Sequence, residues 1–133
     1  MTKIRIRIVG IIIRNGKLLM VKGKGYEELW TPGGKIKPGE NDEECLRREL
    51  KEEINADLVK MKFFKEYSGK SFYQEGITKQ RVYIASVKGK IRPGAEIEDF
   101  VWLSRQDFEK RKFLLIPITE KEIIPDLIKQ GFF

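Results

Sequence analysis

The chain has no histidine among its 133 residues. That absence removes Ser-His triads, Cys-His pairs, His-ligated zinc and imidazole proton transfer together. Any catalysis must therefore rest on carboxylates, lysines, tyrosines or a bound ion. Cysteine is nearly absent as well, and the single residue, Cys45, excludes an internal disulfide framework. Long apolar runs are also missing: nothing approaches the roughly 20 residues of a spanning helix, and the longest candidate is broken by Arg14 and Asn15. The opening MTKIRIRIVGIII lacks the small-residue cleavage site that follows a secretory apolar segment. The expectation is a soluble, cytoplasmic protein with no membrane partner. At 133 residues and 41% hydrophobic content the chain is long enough for one core and short for two, so residues 1–133 read as one domain.

Charge is abundant. Charged residues make up 35% of the chain and the formal net charge is +7, which fits an anionic partner such as a phosphorylated small molecule or a nucleic acid. A charge-rich surface with only three Asn and four Gln is equally the habit of a thermophile protein. The basic residues are scattered and form no defined stripe, which disfavours nucleic acid as the partner.

No repeat, low-complexity tract or linker interrupts the chain. KIRIRIV at 3–9 alternates charged and β-branched residues and then runs apolar through Ile13, predicting one strand that becomes more buried along its length. Asn15-Gly16 supplies a type I′ turn, and KLLMVK returns as a second strand. Further strands are expected at 58–67 and 77–88, with a mobile loop around SGKSFYQEG, and a short one at FVWL after the Arg92-Pro93-Gly94 turn. Ser104 with Asp107 predicts a helix cap, and 118–130 has a helical pattern that Pro125 must start or bend. Strands and helices mix without strict alternation, predicting an α/β fold with a mixed sheet and helices on its faces.

The stretch GGKIKPGENDEECLRRELKEEINA, residues 33–56, carries the chemistry. Asn41 and Glu44 form a capping-box start, Pro38-Gly39 cannot lie inside a helix, and Asn55 suits a left-handed C-terminal residue, so a helix is expected from about 42 to 54. Leu46, Leu50 and Ile54 form its apolar stripe, and Glu49, Glu52 and Glu53 flank that stripe. Like charges spaced three and four apart repel, more strongly near a protein interior. A divalent cation would remove the penalty, and Mg²⁺ and Mn²⁺ prefer oxygen donors of this kind. An acidic solvated face paired with Arg47, Arg48 and Lys51 remains the alternative.

The stretch resembles the signature of the Nudix hydrolases, of the MutT-like kind, through Gly34, Glu40, Arg48-Glu49, Leu50 and Glu52-Glu53 at the family's spacing. Asn55 stands where the family has glycine and Ala56 where it has a bulky aliphatic residue. The likeness extends upstream to LWTPGGK and more loosely downstream to FVWL. It implies a Nudix-type α/β/α sandwich with a mixed β-sheet, and metal-dependent hydrolysis of a phosphoanhydride in a nucleoside diphosphate linked to another group.

The roles that the resemblance implies fall on particular residues. Glu49, Glu52 and Glu53, with the carbonyl of Gly33, would hold Mg²⁺ or Mn²⁺. Arg48 would hold a carboxylate, Glu40 or Glu49, in place. The catalytic set is Arg48, Glu49, Glu52 and Glu96; the general base is either a carboxylate of this stretch or one from a later loop, where Glu96 is preferred to Glu98. Substrate contacts are expected from Lys22, Lys24, Gly34 and Tyr73. Cys45 reads as a small helix filler.

Substrate choice stays open between a nucleoside triphosphate and a dinucleoside polyphosphate. Ser71 and Phe72 occupy the region where ADP-ribose-acting members carry a proline, whereas Tyr73 matches dinucleoside-polyphosphate members. Phe63, Phe64, Tyr67 and Phe72 read mostly as packing residues. A second class of function is a Nudix-fold module that binds a nucleotide or RNA without hydrolysis; loss of a box carboxylate would favour it, and none is lost. Monomer and homodimer both remain open.

Overall fold

The computed structural model describes residues 3–133. In chain order the strands are β1 (Ile4–Ile11), β2 (Ile13–Arg14), β3 (Lys17–Gly23) and β4 (Gly33–Lys35), followed by helix α1 (Asp42–Ile54). Then come β5 (Asp57–Lys70), β6 (Ile77–Lys88), β7 (Ile97–Leu103), the short helix α2 (Arg105–Glu109) and α3 (Ile124–Lys129). The strands form two sheets, ordered β4-β1-β6-β5 and β2-β3-β7. In the larger sheet β1 runs parallel to β6 while the other pairs are antiparallel, so it is mixed as expected.

Two buried clusters lie on opposite faces of that sheet. Leu46, Leu50 and Ile54 of α1 pack with Ile8, Leu58 and Ala85 on one face. Ile123, Ile124 and Leu127 at the C-terminal helix pack with Val9, Ile11 and Val82 on the other. Helices thus cover both faces, the α/β/α arrangement that alternating inward residues of β1 require.

The expected strand 3–13 is broken at Ile12, a departure from the single-strand reading. β1 belongs to the four-stranded sheet and β2 to the three-stranded one, so the chain changes sheets at Ile12 although the run's one glycine, Gly10, lies inside β1. The hairpin itself forms at Asn15-Gly16, both with positive φ, at 51° and 73°. β4 was not foreseen because two glycines carry little strand propensity; pairing of Val9 with Gly33 and Arg7 with Lys35 supplies what propensity lacks. Gly33 sits at φ 147°, where a Cβ would run into the Ile8 carbonyl, so only glycine fits this close approach.

β5 reaches Lys70, taking Ser68, Gly69 and Lys70 out of the expected loop, since they pair with Lys79, Thr78 and Ile77. The remaining loop spans 71–76. α1 begins and ends as its caps dictate: Asn41 and Glu44 close a capping box, and Asn55 is left-handed at φ 57°. Ser104 and Asp107 likewise cap α2. Pro125 stands in the first turn of α3, preceded by one π-helical turn at Thr119–Ile123, the wider spacing adjoining a residue that has no N–H to donate. Among the described residues no helix is long and apolar enough to cross a membrane.

Candidate active site

The helix α1 carries its carboxylates to the rim of a cleft of about 410 Å³. One side of its lining is Gly33, Gly34, Glu49 and Glu53; the floor includes Arg7 and Gln80; the walls are aromatic and aliphatic. Gly34 is needed for this approach, because a Cβ there would overlap the Glu49 carboxylate. The glycines therefore bring a strand edge against a helix face.

Glu53 is the most buried of the acids. Its Oε1 accepts the Gly33 N–H at 2.8 Å. Burial pushes its carboxyl up to about 8, against the opposing pull of the Gly33 amide and of Arg7. Arg7 Nη2 in turn donates to the Gly33 carbonyl at 3.0 Å, and burial lowers the Arg7 pKa against the attraction of Glu53 and Glu49. The Gly33 peptide is thus gripped at both ends, its amide by an acid and its carbonyl by a base.

Arg48 organises the other acids. Its Nε and Nη2 hold the two Glu40 oxygens at 2.6 and 2.9 Å, a bidentate pair. Nη1 reaches Glu49 at 2.7 Å and Glu52 at 3.4 Å, and Nη2 also donates to the Lys35 carbonyl at 3.2 Å. The Arg48 hydrogen bonds, helped by the Lys37 amide, hold Glu40 down at about 2. Arg48 itself is pushed up, first by Glu40 and then by Glu49. It bonds Glu40 and Glu49 together, where the sequence left a choice between them.

The other expected site residues fall at different distances from the cleft. Glu52 is half-exposed and stands outside the lining. Lys22 is ion-paired with Glu98. Lys24 is exposed, and its amide donates to the Glu96 carbonyl at 3.0 Å. Glu96 is exposed too, on a loop whose Gly94 amide donates to the Glu53 carbonyl at 2.8 Å, so that loop closes over the C-terminal end of α1. None of Lys22, Lys24, Glu96 or Glu98 lines the cleft. Tyr73 does, with its hydroxyl donating to Glu28 at 2.7 Å and burial raising its pKa. Cys45 is fully buried, and desolvation pushes its thiol up to about 12, as befits a filler.

Tyr73 was an expected contact, whereas Tyr26, Trp30 and Arg7 were not foreseen in the lining. Tyr26, Trp30 and Tyr73 form a contiguous aromatic wall, with ring centroids 5.5 Å apart for Tyr26–Trp30 and 4.5 Å for Tyr26–Tyr73. Phe72 stacks edge-on to Tyr73 at 4.7 Å and lines the cleft, which corrects its reading as a packing residue. Arg7 lies in an alternating segment that resembles a solvated strand edge. The available signal was that Arg7 shares its face with Val9 and Ile11, both buried, so a charge in that line must face a cleft.

The donor set can be tested against a divalent ion. Among the described residues no three acidic side chains converge closely enough to form a ready cation cage, since Glu49 and Glu52 are turned onto Arg48 and Glu53 onto the Gly33 amide. The chemistry nevertheless fits a hard cation: the candidate donors are carboxylate or carbonyl oxygens, and Glu53 is a buried carboxylate with no hydrogen-bonded cation.

Comparison with known proteins gives the family and the fold. A NUDIX domain family model matches residues 4–127. The chain is 33% identical over 130 residues to a protein of Buchnera aphidicola (subsp. Schizaphis graminum) named 8-oxo-dGTP diphosphatase, covering 95% of each chain. It is 33% identical over 86 residues to the nucleoside triphosphatase NudI of Escherichia fergusonii, covering 56% of this chain and 60% of that one. A crystal structure of a MutT protein from Methanosarcina mazei Go1 superposes with TM-score 0.84 at 18% identity, over 98% of this chain and 96% of that one, and shares its fold.

Proposed function

Since this chain belongs to the NUDIX family, we propose that it is a metal-dependent pyrophosphohydrolase that cleaves a phosphoanhydride of a nucleoside triphosphate. The observation that carries this reading is the junction of two surfaces at Gly33. On one side stand Glu49 and Glu53; on the other lies an aromatic-walled cleft of about 410 Å³, a size suited to a nucleoside. Relatives named 8-oxo-dGTP diphosphatase and nucleoside triphosphatase support a triphosphate over a dinucleoside polyphosphate.

Glu49, Glu52, Glu53 and the Gly33 carbonyl would hold Mg²⁺ or Mn²⁺. When bound, such an ion supplies neutralisation of polyphosphate charge and acidifies a water. The chain's own residues do the rest. Arg48 fixes Glu40 through a bidentate pair and holds Glu49 beside the glycine edge. Arg7 braces the Gly33 carbonyl, which would be one of the oxygen donors to the ion. The aromatic wall excludes water from one side of the ligand and orients it, so that the polyphosphate leaves the cleft at the glycine edge. A carboxylate takes the proton of the attacking water, and the two candidates are Glu52 and, from the loop over the end of α1, Glu96.

The test is hydrolysis of a panel of nucleoside triphosphates, dinucleoside polyphosphates and ADP-ribose with Mg²⁺, Mn²⁺ or chelator, with products separated by chromatography. The expected result is nucleoside monophosphate and pyrophosphate from triphosphates, only with a divalent ion. Orthophosphate with nucleoside diphosphate as the products, or no turnover of any member, would refute it.

A further inference from the structure

A second hollow of about 320 Å³ adjoins the cleft, lined by Lys3, Arg5, Arg7, Lys35, Gln74 and Thr78. Arg7, Lys35, Gln74 and Thr78 line the cleft as well, so the two share a wall at the phosphate end. Strand geometry explains the composition of this hollow. Lys3 just ahead of β1, and Arg5 and Arg7 within it, alternate along the chain and so share one face. β4 sets Lys35 directly opposite Arg7, two residues beyond the pair of Gly33 with Val9. Four cations therefore run in file away from the glycine edge, and no acid stands among the lining residues.

This file is unfavourable until an anion occupies it. Like charges directly opposite across an antiparallel pair destabilise it, and Arg7 faces Lys35 in that way. Among the described residues none of Lys3, Arg5, Arg7 and Lys35 forms a salt bridge. Arg7 is drawn toward Glu53 and Glu49 and holds the Gly33 carbonyl, which fixes its end of the file at the candidate ion site. Arg5 is held by neutral acceptors instead: its Nη1 donates to the Ser71 hydroxyl at 3.2 Å and to the Glu75 carbonyl. The Ser71 hydroxyl is itself bonded to Thr78 Oγ1 at 2.6 Å. Gly76, at φ 108°, lets the 71–76 loop close on this strand, since a Cβ there would run into the Lys3 carbonyl. The Arg5 guanidinium is thus preorganised with its charge uncompensated.

We propose that Lys3, Arg5 and Lys35 bind the phosphate groups that lie beyond the ion site, so that this groove sets the length of phosphate chain the protein accepts and favours nucleoside triphosphates over diphosphates. The inference rests on the nucleotide reading of the cleft and adds the residues that hold the far end of the chain. A nucleoside seated between the aromatic walls sends its phosphates out past Gly33 and Gly34. The cations follow along β1 and β4 in the order Arg7 with Lys35, then Arg5, then Lys3. A triphosphate carries its terminal group to them, whereas a diphosphate stops at the ion site. Arg5 offers a fixed fork to a phosphate, and Lys3 and Lys35 offer mobile point charges that follow it. A nucleic-acid strand suits the groove less, because a hollow of about 320 Å³ has room for a few phosphate groups and its lining holds no aromatic ring on which a base could stack.

Inorganic tripolyphosphate probes the groove without a nucleoside. Calorimetry on protein stripped of divalent ions should show tripolyphosphate binding, with pyrophosphate weaker and orthophosphate weakest. Lys3→Gln should weaken tripolyphosphate about threefold and Arg5→Gln about tenfold. Lys3 is exposed, so its variant does not act by unfolding the protein. Arg5→Lys keeps the charge without the fork and should recover part of the loss, which a role confined to anchoring the 71–76 loop would not allow. Lys110→Gln removes the same charge from the end of α2, outside both linings, and should change nothing. In turnover with Mg²⁺, the kcat/KM ratio of the best-hydrolysed triphosphate to its diphosphate should fall about fivefold or more in Arg5→Gln. Unchanged binding in Lys3→Gln and Arg5→Gln, equal weakening by Lys110→Gln, or an unchanged triphosphate-to-diphosphate ratio would overturn the proposal, as would tighter binding of a single-stranded oligonucleotide than of tripolyphosphate. Hydrolysis of triphosphates by a protein whose groove variants bind tripolyphosphate as wild type does defeats this inference alone. Tripolyphosphate binding that the variants weaken, without any nucleotide hydrolysis, upholds the groove and defeats the proposed function.

Discussion

Glu52→Gln should lower kcat at least about a hundredfold while the melting temperature stays within a degree or two of wild type. The structure makes this a sharp expectation because Glu52 has almost no structural task. Its side chain is 56% exposed, and its one ion pair is the outer contact of Arg48, at 3.4 Å. Arg48 keeps its bidentate bond to Glu40 and its bond to Glu49 without it. Exposed pairs of this kind contribute about 0–1 kcal/mol. A solvated acidic face therefore predicts a variant indistinguishable from wild type in both stability and rate. A carboxylate that helps to hold an ion on a transferring phosphoryl group predicts a stable protein with little turnover, since such ions supply much of the charge stabilisation. Steady-state kinetics beside a thermal melt separates the two.

The metal-free protein should lose stability as pH rises from about 4.5 to about 8, and Glu53→Gln should flatten that slope. Burial raises the folded-state pKa of Glu53 from 4.5 to about 8. Between those values the folded chain keeps a proton that the unfolded chain has released, so the proton-linked slope of stability with pH is negative. The contribution is fully present below pH 4.5 and gone above the folded value, with an amplitude on the order of a few kcal/mol. Glu40 works in a different window. Its folded value is held down at about 2 by Arg48 and the Lys37 amide, so its contribution is present above 4.5 and lost as pH falls toward 2. The two acids thus act on opposite sides of the ordinary carboxyl range. Denaturant unfolding of chelated wild type and Glu53→Gln at pH 5 and pH 8 measures the difference directly. Equal pH slopes for the two proteins would mean that Glu53 ionises as an ordinary surface acid.

Much of this was legible in the amino-acid order, wherever local rules and tertiary packing agree. Helix α1 follows its caps from Asn41 to Asn55. Its apolar stripe is the one that packs on the sheet, and the hairpin turns at Asn15-Gly16 as its residues demand. The strand β4 and the switch of sheets at Ile12 were not legible, because both depend on pairing partners distant in the chain. The clustering of Glu49, Glu52 and Glu53 beside the apolar stripe of α1 was readable from spacing, whereas their reading as a site came from the resemblance of residues 33–56 to the Nudix signature. The floor and, Tyr73 apart, the walls of the cleft were not legible. Arg7 and Gln80 lie far apart in sequence and meet only through the parallel pairing of β1 with β6. Tyr26, Trp30, Phe72 and Tyr73 come from two loops that approach each other across the cleft mouth.

The central claim is that the carboxylates beside the glycine edge are a divalent-ion site, and paired thermal melts of wild type and Glu53→Gln, with chelator and with Mg²⁺ at pH 8, test it most directly. In chelator the variant should melt no lower than wild type, because it lacks a carboxylate whose burial cost outweighs the pull of Arg7 and the Gly33 amide. With Mg²⁺ the order should reverse: an ion that binds the folded state stabilises it by mass action, and the variant has lost a ligand. Parallel shifts of both proteins with Mg²⁺, or no shift in either, would contradict the account and return Glu49, Glu52 and Glu53 to an acidic helix face held by Arg48 alone.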